Sequence, residues 1–109
     1  MDGVRQRLLE LETALEEAGE GQFAKCVREA LYGSDGEVAA FVVSNTLWGG
    51  SGSIADHAGF DCHGFRTDAR RRIERTLAAL GEEQARAGVL SPRTMGWVVG
   101  FRQWESDGR

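Results

Sequence analysis

Lysine is all but missing from this chain: of its 13 basic residues only Lys25 is a lysine, against 17 acids and a net charge of −4. A generic binder of nucleic acid or of an anionic membrane is more basic than this. The remaining bases are arginines, which suit carboxylate and phosphate contacts better than lysine does. Only two cysteines are present, Cys26 and Cys62, too few for a disulfide framework, so reduced thiols are expected. No apolar segment follows Met1-Asp2-Gly3-Val4-Arg5-Gln6-Arg7, so a secretory signal is not expected and a cytoplasmic location is. The longest charge-free run, residues 38–55, is Gly/Ser-rich in its second half and makes a poor membrane span.

What is present suits a globular protein. The 109 residues are 41% hydrophobic and 28% charged, enough for one domain with a real core. Charge is uneven, with nine acids and four bases in residues 1–40 and eight acids and nine bases in residues 41–109.

Val4, Leu8, Leu11, Leu15 and Ala18 recur at helical spacing, and Gly19 and Gly21 end the pattern. Residues 22–31 repeat it, which predicts an antiparallel helical hairpin, followed by a turn at Gly33-Ser34-Asp35-Gly36. Residues 37–48 are apolar nearly all round. Their length and a cap candidate, Asp35, favour one buried helix, whereas Val42-Val43 favours a strand. We read a helix. Beyond the glycines, Ser53 is placed to cap a short helix, Ile54 to Ala58, stopped by Gly59. Thr67 is placed to cap a longer one reaching about Ala87, with Asp68 and Arg72 one turn apart for an ion pair. Gly81 is expected to weaken that helix by about 1 kcal/mol relative to alanine. Ser91-Pro92 predicts the start of a terminal helix, with Trp97 and Trp104 on one face.

The stretch with the most latitude is Trp48-Gly49-Gly50-Ser51-Gly52-Ser53-Ile54-Ala55-Asp56. Gly50 to Ala55 matches G-x-G-x-x-G/A, but Gly59 cuts the following helix short and no second strand unit follows. No Lys-Ser/Thr completes a phosphate loop, and a serine stands where a nucleophile elbow needs its last glycine. Two readings remain. Glycine N–H groups at a helix start can hold an anion, with Asp56 and Arg93 in the site and Trp48 or Trp97 as its wall. Alternatively the glycines let the loop pack tightly against protein, and Asp56 in the first helical turn makes the loop less attractive to an anion.

Asp56, His57, Asp61, Cys62 and His63 cluster in eight residues but carry no recognised zinc spacing, and a polar surface loop is expected there, with no metal or cofactor. Arg70, Arg71, Arg72 and Arg75 interleave with Asp68 and Glu74 as a solvated helix face. Residues 88–97 are similar to the turn and groove-reading helix of helix-turn-helix proteins. Trp97-Val98-Val99-Gly100-Phe101 is too apolar for a DNA groove, and Glu82 and Glu83 would repel phosphate.

Taken together, Leu47 to Asp56, Arg72-Ile73-Glu74, Leu80-Gly81 and Arg93-Thr94 to Trp97 resemble a family of small uncharacterised bacterial proteins with a Trp-Gly-Gly-Ser-Gly-Ser-Ile-Ala-Asp loop. The N-terminal hairpin and loop also resemble a wider group of helical domains with a Gly-Gly-x-Gly-Ser motif. The resemblance implies a cytosolic helical protein and supplies no reaction or ligand. The expected fold is all-α: a compact bundle of four or five helices, the 38–47 helix central. With no complete catalytic constellation, the expected function is a non-enzymatic interaction module of immunity, inhibitor or adaptor type, with a protein partner or a second copy of itself. The alternatives are an anion or small-ligand site at the glycine loop and DNA binding through the Ser91 helix.

Overall fold

In a computed structural model the chain is all-α, and the structure describes residues 1–50, 52–59 and 67–108. Among the described residues five helices of eight residues or more run α1 (Asp2–Glu17), α2 (Gly21–Leu31), α3 (Asp35–Val42), α6 (Thr67–Ala87) and α7 (Thr94–Ser106). Two short pieces, α4 (Asn45–Trp48) and α5 (Ile54–Gly59), lie between α3 and α6.

The first hairpin forms as the periodicity requires. Val4, Leu8, Leu11, Ala14 and Leu15 of α1 are buried, as are Ala24, Val27 and Leu31 of α2. Gly19 takes φ +78°. Its N–H donates to the Glu16 carbonyl and that of Glu20 to the Leu15 carbonyl, a Schellman closure that satisfies the last carbonyls of α1. Across the hairpin Arg28 bridges Glu12 and Glu16. These carboxylates, the Glu12 hydrogen bond foremost and against an opposing effect of burial, raise the Arg28 pKa. Arg5 then ties the hairpin to the start of α3. Its guanidinium donates to the Leu31 carbonyl at 2.6 Å and the Gly33 carbonyl at 3.0 Å, and pairs with Asp35 at 2.8 Å.

The apolar run after this turn departs from expectation. It is two helices, not one. Ser34, rather than Asp35, caps α3, in a reciprocal capping box with Glu37. After Val42 the helix stops, because Ser44 adopts an extended backbone (φ −78°, ψ 159°). Its hydroxyl turns back to donate to the Phe41 carbonyl at 2.6 Å. The β-branched Val42-Val43 pair offers little resistance to that break. The break also re-aims the core face. A continuous helix burying Val38 and Val42 would next turn in Asn45, whereas the broken one buries Leu47 and Trp48 completely. Nor is this segment central: the most extensive packing is of α6 against α1 and α7, and of α1 against α2.

Helix α6 ends like α1. Gly88 takes φ +74°, and the N–H groups of Gly88 and Val89 donate to the Ala85 and Gln84 carbonyls. Residues 91–93 form a turn, so α7 starts at Thr94, later than Ser91-Pro92 suggests. Ser91 still organises the start: its N–H donates to Thr94 Oγ1 and its Oγ accepts from the Arg93 N–H. The crossing of α7 over α6 is close. A β-carbon on Gly81 would stand 2.3 Å from Val98 Cγ2, so the residue expected to weaken α6 is what admits α7. Arg72 pairs with Glu17 of α1. The Thr67 cap expected from sequence lies outside the described side chains.

Candidate functional site

The glycine junction sits where α4, α5, α6 and α7 converge, and Trp48 is its anchor. The indole is fully buried, and its Nε1–H donates to Gln84 Oε1 at 2.9 Å. The Gln84 amide nitrogen in turn donates to the carbonyls of Val42 at 2.9 Å and Val89 at 2.8 Å. Three partners of fixed polarity set the amide orientation: an indole N–H needs the oxygen, and two carbonyls need the nitrogen. Trp48 is therefore core, sealed from any ligand.

The loop then folds onto itself. Gly49 leaves no room for a side chain, since a β-carbon there would lie 2.4 Å from the Asn45 carbonyl oxygen. Ser53, almost fully buried, donates from Oγ to the Gly49 carbonyl at 2.8 Å and accepts the Asp56 N–H at 3.0 Å, so it caps α5 as expected. Its own N–H donates to the Gly50 carbonyl at 3.1 Å. Gly52, at φ +87°, gives its N–H to Asp56 Oδ2 at 3.1 Å. The carboxylate of Asp56 thus occupies the position an external anion would take. Ser51 lies outside the described residues.

His57 Nδ1 lies 3.0 Å from the Ser53 carbonyl oxygen, which makes it the protonated nitrogen, and the ring meets the edge of Phe23 at 4.9 Å between centroids. Asp61, Cys62 and His63, the other members of the polar cluster, lie outside the described residues. Cys26 is exposed on α2. Of the α6 arginines, Arg71 donates to the Gly108 carbonyl at 3.0 Å and Arg75 to the Arg71 carbonyl at 3.4 Å.

The terminal helix closes the junction from outside. Trp97 Nε1–H donates to the Trp48 carbonyl at 3.1 Å. The rings of Trp97 and Trp104 cover Gly59, where a β-carbon would sit 2.7 Å from the Trp97 ring. Phe101 links them, stacked on Trp97 and edge-on to Trp104. Arg93 stands at the start of α7, with Nη1 3.6 Å from where a Gly50 β-carbon would be. Among the described residues no carboxylate pairs with this guanidinium.

The structure thus brings the described members of the expected site together, but in two layers. Trp48, Gly49 and Ser53 form an inner layer that is protein against protein. Arg93 and Trp97, with Gly96, Gly100 and Trp104, line an open groove of about 350 Å3 along the outer face of α7. Val99, 65% exposed, and Met95, 39% exposed, flank the glycines on the other side. Gly96, Gly100 and Trp104 were not expected in the site. Their signal lies in the spacing of 93, 96, 97, 100 and 104, which is one helical face. Gln84 was equally legible as a polar residue in register with Leu77 and Leu80 on an apolar stripe.

The chain matches no known protein family, no curated protein and no solved structure.

Proposed function

We propose that this protein is a cytoplasmic, non-enzymatic interaction module, akin to the small bacterial helical proteins its loop resembles, that docks a protein surface on the outer face of α7. One observation carries the reading. The groove joins a guanidinium that has no carboxylate partner among the described residues to two half-buried indoles over a glycine floor, whereas the N–H groups of Gly49, Gly52 and Ser53 are given to the Asn45 carbonyl, Asp56 and the Gly50 carbonyl. Aromatic and arginine side chains around a shallow apolar patch are the usual anchors of protein recognition. The outward residues of α7, among them Met95, Gly96, Val99, Gly100 and Gln103, are not the basic face a DNA groove demands. Among the described residues no helix is long and apolar enough to cross a membrane.

Gly96→Glu tests this cleanly, because a β-carbon at Gly96 meets nothing within 4 Å and the fold has room for it. A partner captured by the wild type should be lost by this variant, and the pair should reassemble from purified components. Equal capture by both chains would overturn the reading. A second reading, a small carboxylate or phosphate on Arg93, rests on that guanidinium facing the exposed Gly50. It predicts a thermal shift with such anions that Arg93→Ala abolishes.

A further inference from the structure

We propose that the surface docked on α7 is a second copy of the same chain, paired antiparallel about a two-fold axis at Gly100; this rests on the interaction reading above. Arg93, Gly96, Gly100 and Asp107 follow one another at spacings of three, four and seven and so lie along one face of α7. All but Gly100 are exposed, and Gly100 is half-buried. Arg93 and Asp107 are equidistant from Gly100 and opposite in charge, at the two ends of a strip about 21 Å long. A half-turn about Gly100 sets Arg93 of one copy against Asp107 of the other, and does so twice. The same rotation sets Trp104 of each copy opposite Gly96 of the other, where the missing side chain leaves open space. Such a contact is isologous: one patch is its own complement.

Charge also excludes the alternative geometry. Parallel pairing of two α7 helices would set Arg93 on Arg93 and Asp107 on Asp107. Asp107 already accepts from Gln103 Nε2 at 3.0 Å through Oδ1, which leaves its second oxygen for a guanidinium. Val99 and Met95, exposed in the single chain, border the seam. The strip is short, so the pair belongs to the smallest class of interfaces, under about 1,200 Å2 in total, and to micromolar affinities.

Sedimentation of the full chain between about 5 and about 500 µM reads this directly. The wild type should pass from monomer to dimer within that range, and less readily as salt is raised. Arg93→Asp and Asp107→Arg should each weaken pairing by about tenfold or more, because each sets like charges together. The doubly exchanged chain should recover to within about threefold of wild type, since the two ion pairs are restored with their signs reversed. Gly96→Glu should be monomeric while melting no lower than wild type. A wild type that stays monomeric throughout, or a double exchange no better than the single ones, overturns the pairing. If such a monomer still captures another protein and loses it on Gly96→Glu, the pairing falls and the interaction reading stands. If the groove variant changes nothing, both fall.

Discussion

Gln84 is the residue on which the junction depends. Its amide accepts the Trp48 indole N–H and donates to two carbonyls from different segments, the Trp48 and Val42 bonds fully buried and the Val89 bond partly so. Removing it strands one donor and two acceptors, and buried polar groups without partners are costly. We expect Gln84→Ala to lose about 3 kcal/mol in urea denaturation. Trp48→Phe keeps most of the apolar area and loses the N–H, for about 2 kcal/mol. Ser53→Ala removes the cap of α5 and should cost about 1 kcal/mol by the same measurement.

Among the helices, one substitution changes sign with its place. Alanine is a better helix former than glycine by about 1 kcal/mol. At Gly96, where a β-carbon meets nothing, Gly96→Ala should raise the melting temperature. At Gly81 the same change drives a β-carbon to 2.3 Å from Val98 Cγ2, a stiff branched side chain, and the melting temperature should fall. Gly81→Ala combined with Val98→Ala should recover the clash but not the lost valine packing. Periodicity marked out α1, α2, α6 and α7, because each repeats its apolar positions over three turns or more. It failed over residues 37–48, where every side is apolar and no period exists to be broken. There a hydroxyl, Ser44, decides the course of the chain. The site was legible in part: sequence singled out the loop and named Arg93 and Trp97. It does not separate a glycine that makes room for backbone, such as Gly49, from one that makes room for another helix, such as Gly81. That distinction belongs to tertiary contact.

Across the whole molecule, α6 and α7 are fastened at a second point, where Arg102 grips Glu82 at 2.6 Å and reaches Glu105 at 2.9 Å. The Arg102 hydrogen bond holds the Glu82 carboxyl below its usual 4.5, against a smaller opposing effect of burial and with lesser help from the charges of Arg102, Arg86 and Arg7. The same contacts, Glu82 first, raise the Arg102 guanidinium further above its ordinary value. A carboxyl that binds its proton less tightly when folded contributes stability above its ordinary pKa and loses it as pH falls through the lowered one. The pair is more than one-third exposed, so the effect is small, about 0.5 kcal/mol. Melting curves from about pH 7 to about pH 3 should show wild type above Glu82→Gln at neutral pH and the two converging in acid. A constant gap across that range would mean the charge is not what the pair contributes.

The layering of the indoles has an optical consequence. Trp48 is sealed and hydrogen-bonded to an amide, whereas Trp97 and Trp104 border the groove. Emission from this protein is therefore a blue, quencher-resistant component added to a second that iodide can reach. Whatever settles on α7 should cut the second component's access to iodide and leave the first untouched, so the native chain reports occupancy of its own groove without a label.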